Sequence, residues 1–408
     1  MKSPLDAPLS TASPLQNKET NYMKTRLILT LTLIMALGSA ACSQNVTDNS
    51  EPATPKTAVT NQDQLLKDIG EMLLVGFRGT TIGENSHIVR DITKYHVGNV
   101  ILFEYDAPTG TRHRNISSPQ QVKELCQTLQ KYAKGHLLIG IDQEGGNVTR
   151  LRTKDGFPAT LTAQASAEAG DISVESNALT VAQELKAAGI NLNFAPCVDV
   201  NINPDCPVIG KLGRSFSNDP ERVEKCARIW LDVQQKNGII SCLKHFPGHG
   251  SATGDTHAGL VDVTKTWQES ELSPYRALIS EGRVEMVMVA HVINRHLGDK
   301  LPASLSPLVV KEKLRNELGF KGVVVTDDLA MGAITKQYGF EEALKMAILA
   351  GCDLLCLSNN GSGTYDPDMV PHAVDAILRF VENGELSAAD IHAAAERIRA
   401  LKKANGIY

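Results

Sequence analysis

From about residue 62 onward, short apolar runs alternate with longer amphipathic stretches. The runs are 72–75, 99–103, 137–141, 192–195, 240–243, 286–290, 323–326 and 354–357. Their hydrophobicity is continuous rather than alternating, the pattern of strands buried on both faces of a parallel sheet. The stretches between them carry helix signals. Ser118-Pro119 supplies an N-cap and a first-turn proline before 122–132, and Asp219-Pro220-Glu221 opens a helix running to Asn237-Gly238. A further helix over 340–349 ends before Gly351, and Ser387 leads into a last one over 391–403. Eight strands, each followed by helical sequence and without a tandem repeat, predict an α/β fold built as a single (β/α)8 TIM-type barrel.

Polar residues gather behind the same ends of these strands. Asp142-Gln143-Glu144-Gly145-Gly146 follows the third run and 196–201 follows the fourth. Lys244-His245 ends the fifth run, His291 the sixth, and Asp327-Asp328 the seventh. In a barrel the loops after the strands form the active-site face, so this one-sided clustering predicts an enzyme.

The segment ahead of the barrel is of another kind. Residues 1–22 are polar and lead to a second methionine, Met23, which is expected to be the true start. Lys24 and Arg26 then precede an apolar run, 27–37, too short to cross a bilayer, and Gly38-Ser39-Ala40-Ala41-Cys42 follows. A signal peptide is expected over 23–42. Cys42 after small residues resembles a bacterial lipoprotein signal, although Ser39 stands where such signals usually have Leu. Lipidation at Cys42, a flexible Thr/Asn/Ser/Pro-rich tether over 43–62, and a catalytic domain over 63–408 complete the expected organisation. The expected location is the bacterial cell envelope, with the membrane as a partner through the lipid.

Composition narrows the function classes. With 42% hydrophobic and 21% charged residues, the 408-residue chain is neither disordered nor a multi-span membrane protein. Its net charge of −5 and the lack of a basic stripe exclude nucleic acid as a partner. Setting Cys42 aside, seven cysteines remain, at 126, 197, 206, 226, 242, 352 and 356, with no CxxC pair. They read as small buried hydrophobes, although export also permits a disulfide.

The chemistry concentrates in two places. Lys244-His245-Phe246-Pro247-Gly248-His249-Gly250 leads to Asp255-Thr256-His257. Pro247 and the two glycines break the helix that would set His245 and His249 on one face, so no metal or cofactor is expected. Asp255 and His257, two apart in an extended loop, point the same way; the carboxylate can orient the imidazole and favour its protonated form. His257 is therefore a candidate general acid. Of Asp327 and Asp328, strand alternation turns one into the pocket and leaves the other to brace the loop. A carboxylate at a barrel mouth suits attack on an anomeric carbon.

Together with Ile69-Gly70-Glu71-Met72-Leu73-Leu74-Val75-Gly76-Phe77, Ile141-Asp142-Gln143-Glu144-Gly145-Gly146, Gly213-Arg214-Ser215-Phe216-Ser217 and Val325-Thr326-Asp327-Asp328, this text resembles glycoside hydrolase family 3. The resemblance covers residues 66–403 and is to the β-N-acetylglucosaminidase type. It implies a retaining mechanism with Asp327 as nucleophile, His257 as acid/base and Asp255 as its partner. It also implies that Asp142, Arg150, Arg214, Lys244 and His245 grip the sugar, with Asp199 and His291 behind them. Because Lys244 and His245 are adjacent, both can face inward only if the chain bends, and Pro247-Gly248 is the expected bend.

The family often has Asn after the second strand, where this chain has Glu104-Tyr105-Asp106, so the loop there is expected to meet an unusual aglycone. Trp230 and Trp267, both in expected helices, leave no aromatic platform for long glycans, which favours removal of single terminal residues. The expected substrate is a small saccharide or muropeptide carrying terminal β-linked N-acetylglucosamine. The competing readings are a phosphorylase or β-glucosidase using the same pocket, and an inactive glycan-binding lipoprotein.

Overall fold

A computed structural model describes residues 61–256, 259–298, 300–361 and 363–407. The expected signal peptide, Cys42, the tether up to residue 60, and His257 lie outside the described residues. The tether expectation runs slightly long, because a helix, Asn61–Glu71, already begins at Asn61. Its first residues are polar because they are solvent-exposed, which is why they read as linker.

All eight apolar runs are parallel strands. In chain order they are β1 (Leu73–Gly76), β2 (Asn99–Ile101), β3 (Leu138–Ile141), β4 (Leu192–Asn193), β5 (Ile240–Phe246), β6 (Met286–Val289), β7 (Val323–Thr326) and β8 (Leu355–Leu357). Each pairs with its neighbours in sequence, and β1 also pairs with β8. The ring closes through a parallel bridge between Val325 and Leu354, where Leu354 N donates to Val324 O and Thr326 N to Leu354 O, each at 3.0 Å. Gly76 is required where β1 meets the loop after β8. A Cβ there would stand 1.9 Å from the Ser358 carbonyl oxygen.

Helices His87–Lys94, Pro119–Tyr132, Asp171–Ala188, Pro220–Lys236, Ser273–Ser280, Leu308–Glu317 and Phe340–Ala350 follow β1 to β7 in turn. Met369–Glu382 and Ala388–Ala404 follow β8. The caps act as the sequence suggests. Ser118 accepts from Gln121 N, Asp219 from Glu221 N and Ser387 from Asp390 N. Strand residues and inward helix faces form one apolar core that includes Leu74, Val100, Ile139, Leu243, Val287, Val324 and Leu355. No helix among the described residues is long and apolar enough to cross a membrane.

Two details differ from expectation. β5 continues through Phe246, its register against β6 shifts between Leu243 and Phe246, and the Lys244–His245 peptide is cis. The irregularity that lets both side chains face the barrel mouth therefore lies ahead of Pro247, within the strand. Trp230 is helical and buried, but Trp267 lies outside any helix, where its Nε1 donates to Pro247 O at 3.0 Å. It braces the loop after β5. The seven described cysteines are buried free thiols.

Candidate active site

The loops after the strands surround a cavity of about 640 Å³ at the C-terminal face of the barrel. Of the residues singled out from sequence, Asp142, Arg150, Arg214, Lys244, His245, Asp255 and Asp327 all line it. His257 lies outside the described residues.

The floor is a ladder of alternating charges. Lys244, from β5, places its Nζ 2.7 Å from Asp142 Oδ1 and 2.7 Å from Glu144 Oε1. Asp142 and Glu144 are two apart just after β3, so both carboxylates turn to the same side. Arg214 grips Glu144 with both ends of its fork, Nε to Oε2 at 2.8 Å and Nη2 to Oε1 at 2.7 Å. Arg150 reaches the other oxygen of Asp142 at 3.2 Å and is flanked by Glu104, 3.8 Å from its Nε. Glu104 in turn accepts from Arg152 Nε and Nη2 at 3.0 and 2.7 Å. This gives the departure after β2 a role, since Glu104 joins Arg152 to the Arg150 that contacts Asp142.

These contacts fix the charge states. Burial alone would raise the Glu144 carboxyl, but the Arg214 and Lys244 charges hold it down at about 2. Asp142 is likewise driven far below the usual carboxylate range, against burial, by Lys244 and Arg150. Burial would lower Lys244, and Asp142 and Glu144 raise it instead. The floor is thus fully ionised and internally paired.

His245 is set by two neighbours. Its Nδ1 lies 2.6 Å from Asp199 Oδ2 and its Nε2 3.1 Å from Arg214 Nη2. Arginine can only donate, so Nε2 accepts and the ring proton sits on Nδ1, facing Asp199. Asp199 also accepts from the backbone N–H of His249 at 2.7 Å, which ties the loop after β5 to the chain after β4. Burial opposes its charge, yet His245 holds Asp199 well below the usual range. Burial pushes His249 down to about 4. Cys197, Asp199 and His245 form the one group of metal-binding composition among the described residues. As it stands, Asp199 Oδ2 receives both the Cys197 thiol, at 3.2 Å, and the imidazole.

The two carboxylates after β7 separate in role. Asp328 is consumed by the loop after β8, accepting from the Ser358 hydroxyl, from Ser358 N at 3.1 Å and from Ala330 N at 3.0 Å. His291 supports this corner, its Nε2 lying 2.9 Å from Asp328 O and its Nδ1 2.7 Å from Ser304 Oγ. Burial raises the Asp328 carboxyl even against the Ser358 bond. Asp327 follows β7 directly, with its N–H on Val289 O at 2.9 Å and its Oδ1 accepting from Asp328 N at 2.8 Å. Glu144 and Glu104 have no assigned role in the sequence pattern. The two-residue spacing from Asp142 is the signal for Glu144, whereas nothing local predicts the Glu104–Arg152 pair.

Known proteins carry the same architecture. A curated β-hexosaminidase of Tolumonas auensis is 38% identical over 314 residues, covering 75% of this chain and 85% of that one. One from Neisseria meningitidis serogroup C is 36% identical over 285 residues, 67% and 73% of the two chains. Among solved structures, the family 3 β-N-acetylglucosaminidase of Paenibacillus sp. FPU-7 superposes with a TM-score of 0.75 at 37% identity. That match covers 84% of this chain but 63% of the longer Paenibacillus protein. The β-N-acetylhexosaminidase of Beutenbergia cavernae gives a TM-score of 0.73 at 29% identity, covering 84% of this chain and 98% of that one. The profile of the glycosyl hydrolase family 3 N terminal domain matches residues 64–401, the whole barrel together with every described residue of the cavity. The chain belongs to glycosyl hydrolase family 3.

Proposed function

We propose that this protein is a retaining exo-β-N-acetylglucosaminidase that removes terminal β-linked N-acetylglucosamine by double displacement. Asp327 attacks the anomeric carbon while His257 protonates the departing oxygen; water then releases the sugar, with His257 taking its proton. Asp255, two residues before His257, orients that imidazole. Asp142 accepts hydroxyl hydrogen bonds, and Lys244, Arg150, Arg214 and His245 hold the ring around it. Peptidoglycan fragments and other small N-acetylhexosaminides are the proposed substrates. The chain is further proposed to be exported through the 23–42 signal and anchored in the cell envelope by lipid on Cys42.

The observation that carries the reading is the placement of Asp327 and Asp255 on the same cavity as the paired floor of Asp142, Lys244 and Arg214. The names of the curated relatives and solved neighbours point the same way. The test compares an aryl β-N-acetylglucosaminide with the aryl β-glucoside, using wild type and Asp327→Asn. The expected result is preference for the acetamido sugar and loss of turnover by roughly 10³-fold or more in the variant. Equal turnover by Asp327→Asn sinks the assignment of the nucleophile. No turnover of either glycoside by the wild type sinks the enzymatic reading.

A further inference from the structure

Beyond the charged floor, one wall of the cavity is formed by the loop after β2. Tyr105 and Asp106 make a two-residue antiparallel ribbon with Thr111 and Arg112. Alternation along the ribbon leaves Tyr105 exposed at the cavity and buries Asp106. Tyr105 is 41% exposed, unusual for a large ring in a chain whose aromatic residues make up 5%.

The ribbon is held with more bonds than a two-residue strand needs. Asp106 accepts from Arg78 Nε and Nη2 at 2.6 and 2.9 Å, and from the buried Arg114 Nη1 at 3.0 Å. Thr109 adds its N–H and hydroxyl to the same carboxylate. The side-chain hydrogen bond from Arg78 pulls the Asp106 carboxyl down to about 2. From the loop after β8, Asn360 accepts from Ala107 N at 2.9 Å and donates to Tyr105 O at 3.0 Å. These bonds fix the backbone on either side of Tyr105, whose exposed side chain borders the cavity.

An exposed aromatic on a backbone anchored in this way, at the rim of the cavity, suits a sugar ring. A pyranose presents C–H faces that pack on an aromatic ring, and a platform fixed in advance loses little entropy when the sugar settles on it. We infer that Tyr105 is the aglycone platform of this enzyme, selecting substrates in which the departing group is itself a sugar ring. The inference rests on the exo-glycosidase reading above and adds to it the residue that chooses the leaving group. It also gives the departure of this loop from its family a function.

The test separates the leaving group from the cleaved sugar. N,N′-diacetylchitobiose carries a pyranose aglycone, whereas β-N-acetylglucosaminyl fluoride carries none. For Tyr105→Ala, kcat/KM on the disaccharide is expected to fall roughly 3- to 10-fold, and on the fluoride to stay at the wild-type value. Tyr105→Phe, which keeps the ring, is expected to behave as wild type on both. Equal losses on both substrates in Tyr105→Ala, or an unchanged disaccharide rate, overturn the platform. Failure of the wild type on the fluoride and the disaccharide alike overturns the underlying glycosidase reading instead, and the platform with it.

Discussion

Glu144 and Glu184 stand on either side of one glutamine and are almost equally buried, 5% and 7% exposed, yet they are driven in opposite directions. Glu144 lies between Arg214 and Lys244, two residues that line the cavity, and is held at about 2. Glu184 lies behind β3 on the helix Asp171–Ala188. Burial pushes it up to about 8, and the 3.4 Å bond from Gln143 Nε2 only partly opposes this. Gln143 itself is fixed by accepting from Arg150 N and Leu151 N. Burial is therefore not what decides the charge of a carboxylate in this barrel. Glu144 has cations stationed beside it, whereas Glu184 has the amide of Gln143.

Four variants put that contrast at risk. The largest effect is expected for Lys244→Met, which leaves Asp142 and Glu144 without the ammonium they share. Removing one partner of a buried ionic set costs about 3–5 kcal/mol, read as a fall in the urea midpoint. Part of that loss is expected to return in the double variant Lys244→Met/Glu144→Gln, because the two sites share a bond. A midpoint unchanged by Lys244→Met would mean that the floor is not a coupled set.

The next effect belongs to Glu184. Its folded pKa of about 8 lies above the ordinary 4.5, so the folded state binds the proton more tightly. Its contribution is then complete below about pH 4.5 and is lost as pH rises through about 8. Glu184→Gln removes this dependence. It is expected to stabilise the protein by on the order of 3 kcal/mol at pH 8 and by little at pH 4. A gain independent of pH would show that packing, not protonation, governs the site.

The smallest effect is expected at the surface. Arg379 and Glu341 form an ion pair with both side chains about half exposed. Arg379→Gln is expected to shift stability by roughly 0–1 kcal/mol, and less in high salt. A cost comparable to that of Lys244→Met would erase the distinction between mouth and surface.

The same contrast explains what the sequence could reveal. All eight strands are visible as apolar runs because parallel barrel strands are buried on both faces and are therefore mostly apolar. Helix starts are visible at Ser118, Asp219 and Ser387 because a cap is a local device, complete within four residues. The cavity residues are visible because they sit at strand ends. What joins them is not, since Glu144 to Arg214 spans 70 positions and Lys244 to Asp142 spans 102. Trp267 reads as helical in the sequence, yet its indole serves Pro247, a contact between two loops. The sequence offers Pro247-Gly248 as the bend behind the inward pair Lys244 and His245, whereas the register shift lies within β5, where an apolar strand gives no warning of it.

The seven buried cysteines have a consequence for where such a chain can work. Attack by oxidants and alkylating agents needs a thiolate. Burial pushes Cys226 up to about 11 and Cys126 to about 12, and drives Cys242 higher still, beyond any physiological alkalinity. The thiols of the finished barrel are thus held in their unreactive protonated form, and an oxidising surrounding such as the proposed cell envelope finds little thiolate among them to act on. Exposure comes only while the chain is still open, so the hazard lies in transit rather than in service. Labelling of these thiols would time the opening of the barrel.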